Sequence, residues 1–330
     1  MKKTGLSTNM LKCLIAVVVA LLVPVILGGS SYLCLIASFV TIYIIGASGL
    51  DVLFGYSGQI SMGHAAFYAI GGYGAGLMSK YLGIPLFISM FLAAALAAVI
   101  GALLAFPASK LKFHFLSLAT ISFGEIIYQL ACHSPKKITG DFNGFFSSKL
   151  SIFGLKLDTN VKFYYFGIAC VVIFLVLKQL LVKSRTGRAF VAIRENTQAA
   201  EGMGVNVRKY KIIAFAVSAF FVAFAGSMYL GLVGYLHPDM YLQKQSVLFV
   251  TMMLFGGSAS LIGPVIGAIS IEVLLEGLRT FEEYQMLIYG VLLLIVIVAM
   301  PGGLVGAARD VKAAFLRRKA LKQDSRKEGE

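Results

Sequence analysis

SRTGRAFVAIRENTQAAEGMGVNVRKYK, from Ser184 to Lys211, is a polar, basic, helix-forming stretch set between two long apolar runs, 163–181 and 212–236. A chain leaving one membrane helix needs only a few residues to enter the next. A connection this long and alanine-rich therefore reads as an ordered element. Two roles fit it: a docking surface for another protein, or an amphipathic stretch lying on anionic headgroups. Two short helices are expected. Thr186 is placed to cap the first, which runs through Ala189, Ala192 and Ile193 to Asn196. Thr197 is placed to cap the second, with Ala199, Ala200 and Met203, ending at Gly204. The small alanines would let a second surface approach, and Arg188 and Arg194 would orient it through carboxylates.

The flanking runs belong to a longer series. The chain is 58% hydrophobic and 13% charged, with a mean hydropathy of +0.85, whereas soluble domains are about one quarter charged. Lipid is the solvent this composition suits. Apolar runs fall near 13–27, 32–53, 60–82, 86–106, 115–131, 163–181, 212–236, 244–256, 261–278 and 284–300. At about 20 residues for each crossing, they predict an all-α, polytopic membrane helix bundle of about ten spans. The runs are continuous rather than alternating, which excludes a membrane barrel.

The net charge of +14 raises nucleic acid as a partner, and its distribution argues against that. Most of the 29 Lys and Arg fall where ten spans place the inner face. They are Lys2, Lys3, Lys12, Lys110, Lys112, the series from Lys178 to Lys211, and the tail from Arg309 to Lys327. The positive-inside rule then sets both termini in the cytoplasm. One segment dissents: the expected external loop 132–162 carries Lys136, Lys137, Lys149, Lys156 and Lys162. Residues 1–31 have the layout of a secretory signal, but a first span that stays in place is the simpler reading when many spans follow. Cys13, Cys34, Cys132 and Cys170 have no paired spacing, so neither a disulfide nor a metal site is expected.

One membrane domain is expected over 1–308, with 184–211 inside, 132–162 outside and a basic cytoplasmic tail over 309–330. The external loop reads either as a small cap or as a plain connector. Between Gly55 and Phe67 the sequence is rich in small and polar residues. Such residues pack helices closely or line a wet path at membrane depth, and both readings stand for Gln59, Ser61 and His64. Glu125, inside an apolar run, is the most expensive side chain to place, and is either a functional group of the path or a hydrogen-bonded neutral one.

QAAEGMG, Gln198–Gly204, resembles the EAA-x-x-x-G cytoplasmic loop of ABC-importer permeases, with Gln198 in place of Glu. The wider text of the 184–211 segment is similar to the permease family that imports branched-chain amino acids and related compounds. So are GLDVLFGYSGQISMGHAAFYAIGGY (Gly49–Tyr73), FGGSASLIGPVIGA (Phe255–Ala268) and YGVLLLIVIVAMPGGLVG (Tyr289–Gly306). Within that family it resembles the M-type subunit. Three departures stand out: Gln198, Asp141 where the family's TGG-x-x-G loop has its second Gly, and His114 near a Gly position in SKLKFHF.

The resemblance implies a type II-like importer in which this chain forms half the path for branched-chain amino acids or a related small solute. It implies an H-type permease partner, two cytoplasmic ATPase subunits docked on the coupling loop at Arg188, Arg194, Ala199, Ala200 and Gly204, and an extracytoplasmic solute-binding protein. It also implies a place in the bacterial cytoplasmic membrane. The chain has no G-x-x-x-x-G-K-[ST] phosphate loop, so ATP would be bound by the partners and no cofactor by this chain. The competing class is an ion-coupled secondary transporter of a small polar solute. It needs buried carboxylates, and Asp51, Glu125 and Glu272 are few and scattered. No nucleophile, paired-Asp or metal constellation marks the chain as an enzyme.

Overall fold

The computed structural model describes residues 18–26, 28–109, 113–135, 139, 141–147, 150–152, 155–281, 284, 287–291, 294, 298 and 302–307. The expected basic tail 309–330, the start of the first span, His114's side chain and most of the 284–300 run lie outside these residues. The elements are α1 (18–26), α2 (Ser31–Asp51), α3 (His64–Leu82), α4 (Leu86–Ala108), α5 (Phe113–Cys132), α6 (Asn160–Lys183), α7 (Arg185–Glu195), α8 (Thr197–Gly202), α9 (Val207–Val233), α10 (Gln243–Gly256) and α11 (Gly263–Gly277). Helices dominate, as the continuous apolar runs require.

Among the described residues, five helical stretches are long and apolar enough to cross a membrane: Ser31–Tyr56, Leu86–Ala108, Phe115–Cys132, Asn160–Lys183 and Val207–Val233. The expected runs at 60–82, 244–256 and 261–278 are also helical, with different physics. The first is helical only from His64. The other two form helices of 14 and 15 residues, about 21 to 23 Å long, against a hydrocarbon core of about 30 Å. Of these two, the first is too short to cross alone, and the second runs on without a break into a 3-10 turn over Leu278–Phe281. The turn between them, Gly257–Ile262, is half-buried, with Ile262 58% exposed at its end.

α9 is the axis of the bundle and packs on α2, α3 and α4. Helices in lipid attract one another chiefly through close packing, so small residues mark the contacts. A Cβ on Gly71 would lie 1.8 Å from the Ala223 carbonyl oxygen, and one on Gly226 would lie 2.0 Å from that of Tyr68. The α3 and α9 backbones thus touch directly. Ser227 Oγ donates across the same contact to the Gly71 carbonyl at 2.9 Å. Tyr68, Tyr229, Tyr241 and Phe249 pack ring against ring beside it.

The described residues of the 132–162 segment take part in two short strand pairs. Phe145–Phe146 pairs antiparallel with Tyr235–Leu236, and Ser151–Ile152 pairs with Leu155–Lys156. Phe145 is buried against Tyr73, and the Lys80 ammonium lies 4.8 Å from its ring centre. Asp141 has φ +58°, a left-handed backbone that glycine adopts freely and Asp tolerates better than most residues. The 132–162 segment leads into the start of α6 and the 184–211 segment follows its end, 24 residues away, or about 36 Å.

The direct α3–α9 contact gives a stability test. Gly71→Val is expected to cost about 1–3 kcal/mol by overpacking, read as a lowered unfolding temperature in detergent. Gly202→Ala, where an added Cβ meets nothing within 4 Å, is expected to leave that temperature unchanged.

Candidate functional site

The 184–211 segment forms the two expected helices with different caps. Ser184 Oγ, rather than Thr186, accepts from the Thr186 and Gly187 amides at 3.1 and 3.3 Å. Asn196 Oδ1, rather than Thr197, accepts from the Ala199 amide at 3.0 Å. Each residue stands just outside its helix with extended backbone, which aims its oxygen at the free amides of the first turn. Thr197 instead donates back to the Ile193 carbonyl at 3.1 Å. Gly204 closes the second helix at φ +83°, with its amide on the Glu201 carbonyl and the next amide on that of Ala200. Asn196 separates α7 from α8 and Asn206 Oδ1 caps α9, so few backbone torsions remain free to bend.

One face of this elbow is glued to the bundle. Ala189, Phe190, Ile193 and Ala200 are buried, and Phe190 packs edge-on to Tyr210. The opposite face carries Arg185, Arg188, Val191, Gln198, Ala199 and Met203, all exposed, with Met203 86% exposed. Of the expected coupling residues, Arg188, Arg194, Ala199 and Gly204 are exposed, while Ala200 is packed inward. A shallow basic groove bordered by Arg185, Arg188, Asn206 and Lys209 separates α7 from the start of α9.

Arg194 does something the sequence did not reveal. Its Nη1 donates to the Gly55 carbonyl at 2.5 Å, and Gly58 lies against its Cα, which an added Cβ would approach to 3.3 Å. Gln59 Nε2 reaches the Lys211 carbonyl at 3.3 Å. The elbow is therefore seated on the irregular segment between α2 and α3. That segment is a π turn over Val52–Tyr56, followed by non-helical backbone to Gly63. Such backbone survives at membrane depth only when protein satisfies it. Here Thr120 Oγ1 accepts from the Met62 amide at 3.1 Å, Gln243 Nε2 donates to the Met62 carbonyl at 2.6 Å, and Ser246 Oγ accepts from the Ala65 amide at 2.7 Å.

Gln59, Ser61 and His64 are part of the same internal web. All three are buried. Ser61 Oγ lies 2.9 Å from His64 Nδ1 and Ser218 Oγ lies 2.8 Å from His64 Nε2, so both ring nitrogens are occupied. These contacts favour the packing alternative for the three residues. Glu125 is placed differently: it is exposed on the outer side of α5 and accepts from Gln129 Nε2 at 2.6 Å. With Ser122 it makes a polar strip at helical spacing on a helix otherwise faced by Leu118, Ile126 and Leu130.

Beneath the elbow lies the group that sequence reasoning missed. Lys178, counted by its position as an inner-face charge, is fully buried, as is Asp51, and Nζ to Oδ2 is 2.8 Å. Asp51 Oδ1 also accepts from the Ala259 amide at 2.7 Å, and Lys178 Nζ donates to the Ser260 carbonyl at 3.1 Å. The Tyr56 ring centre is 5.8 Å from the ammonium. Two charges out of water cost several kcal/mol each, and only a complete set of partners offsets that. A lysine and an aspartate both sitting within apolar runs were the available signal.

The comparisons with known proteins follow this geometry. Residues 32–297 match the family model described as branched-chain amino acid transport system / permease component. The high-affinity branched-chain amino acid transport system permease protein LivM of Escherichia coli is 32% identical, over 83% of this chain and 70% of its own. A probable branched-chain amino acid transport permease protein LivM of Methanocaldococcus jannaschii is 23% identical, over 80% of this chain and 90% of its own. The fructose import permease protein FrcC of Rhizobium meliloti is 29% identical over 46% of this chain and 44% of its own. No solved structure matches the chain.

The cap assignments are separable by mutation. Ser184→Ala and Asn196→Ala are each expected to cost about 1 kcal/mol of local stability, read as faster amide exchange in α7 and α8. Thr186→Ala is expected to leave that exchange unchanged.

Proposed function

Because the chain belongs to the branched-chain amino acid transport system permease family, a family of multi-pass membrane permeases and not of enzymes, we propose that it forms half of the translocation path of an ATP-driven importer. The solute is a branched-chain amino acid or a related small molecule. The second half is a homologous H-type permease subunit, an extracytoplasmic binding protein delivers the solute, and two ATPase subunits dock on the cytoplasmic face. The chain lies in the bacterial cytoplasmic membrane with both termini inside.

The observation that supports this reading best is the elbow itself. It is capped at both of its helices, buried on one face and open on the other, and its open face offers small and apolar groups, Ala199, Val191 and Met203, among arginines. A surface of that kind suits a protein partner better than headgroups, which would favour a continuous amphipathic helix. Arg188 and Arg194 flank it, and Gly204 ends it. Rigidity suits a part that must carry a push.

The polar strip Ser122, Glu125 and Gln129 on α5 is the best candidate for lining the path, since an ionisable side chain in a membrane helix faces water or protein rather than lipid. The relatives' printed solutes include fructose and autoinducer 2 as well as branched-chain amino acids, so the fold is not tied to one solute. Of the three carboxylates the ion-coupled alternative would use, Asp51 is already paired with Lys178.

Co-expression with its genomic neighbours tests the reading. Two ATPase subunits are expected to copurify, and Ala199→Trp is expected to weaken their retention by about tenfold or more, roughly 1.4 kcal/mol. Ala200 is the wrong site for that substitution, because it is buried. Uptake into vesicles is expected to require ATP and to survive collapse of proton and sodium gradients. Gradient-driven uptake without ATP would refute the proposal.

A further inference from the structure

Resting on the importer reading, we infer that the Asp51–Lys178 ion pair is a positioning link that makes the turn between α10 and α11 move with the coupling elbow. The contacts form an unbroken series. Arg194 of α7 holds the Gly55 carbonyl. Gly55 lies so close to the clamp that a Cβ there would be 2.0 Å from Asp51 Oδ1 and 2.6 Å from the Ala259 amide nitrogen. Asp51 holds the Ala259 amide and the Lys178 ammonium. Lys178 holds the Ser260 carbonyl, and Ser260 Oγ accepts from the Gly263 amide in the first turn of α11 at 2.9 Å. A second route runs along α6, which carries Lys178 and passes through the Ser184 cap straight into α7.

Three features argue for a link rather than mere packing. An apolar pair would fill the same space at lower cost, whereas a buried ion pair with every partner supplied fixes the relative position of the pieces that carry it. The turn it grips is backbone that would not hold its shape unaided: Ala259 has φ +54°, a left-handed conformation in a residue other than glycine. And the turn joins α10 to α11 directly, so a shift of the turn is passed to both helices. Asp51 and Lys178 are both fully buried, so the ion pair itself has no water to exchange with.

The test uses the full transporter, co-purified and reconstituted into vesicles, with ATP hydrolysis and solute uptake measured on the same sample. Lys178→Met leaves Asp51 buried without its cation and endangers folding, so the informative variant is the double one, Asp51→Asn with Lys178→Met. It removes both charges, keeps an acceptor for the Ala259 amide and abolishes the tether to Ser260. The expected result is an unfolding temperature close to that of the parent, ATP hydrolysis within about twofold, and uptake lowered by about tenfold or more. Ser260→Ala, which lies outside the docking surface and removes the acceptor of the Gly263 amide, breaks the other end of the series and is expected to give the same split. Uptake and hydrolysis falling together in both variants, or full uptake in either, would overturn the link. A parent complex with no ATP-driven uptake would refute the importer reading instead.

Discussion

The end of this bundle that carries the elbow is organised around one ion pair between α2 and α6, where neither charge meets water. Removing a single partner from such a pair costs about 3–5 kcal/mol, because the other is left uncompensated. The pair can exist only if Ala259 and Ser260 bring their backbone groups to it, and they do so only when the α10–α11 turn is folded against α2. Two membrane helices and a strained turn are thereby forced into one arrangement. The elbow of α7 and α8 is then laid on top through Arg194 and Gln59.

Away from that point, rigidity comes from small residues. The α3 and α9 backbones touch at Gly71 and Gly226, and the irregular segment before α3 is held by hydroxyls and amides from α5, α9 and α10. The result is a stiff centre, formed by α2, α3, α4, α6 and α9, with the elbow seated on it. α5 is the contrast. It is sparsely covered and carries Ser122, Glu125 and Gln129 outward, which is the composition of a surface completed by a neighbour or by a wet path. A stiff elbow and a polar face on α5 are what the proposed importer role needs.

Much of this was legible in the sequence. The edges of α2, α4, α5, α6 and α9 lie within a few residues of the apolar runs, because lipid leaves a chain little choice but helix. The two short helices of the elbow were readable from its alanines, Thr186 and Gly204. The caps were not, because Ser184 and Thr186, like Asn196 and Thr197, are equally able chemically, and only backbone geometry decides which oxygen faces the amides. Lys178 looked like an inner-face charge because its partner is 127 residues away. Gln59, Ser61 and His64 read equally as path or packing, since polarity at membrane depth has the same composition in both cases. The short length of α10 was hidden for a related reason: hydropathy records apolar length and not the direction in which a helix runs.

The central claim is that the elbow faces the cytoplasm and touches a nucleotide-driven neighbour. Cysteine cross-linking from Met203→Cys, in a chain whose native cysteines have been replaced, tests it most directly. In inside-out vesicles containing the whole transporter, a short thiol cross-linker is expected to join this position to an ATPase subunit, with a yield that changes when ATP is added. Labelling of the same cysteine only in right-side-out vesicles, or no ATPase adduct under any nucleotide condition, would contradict the account.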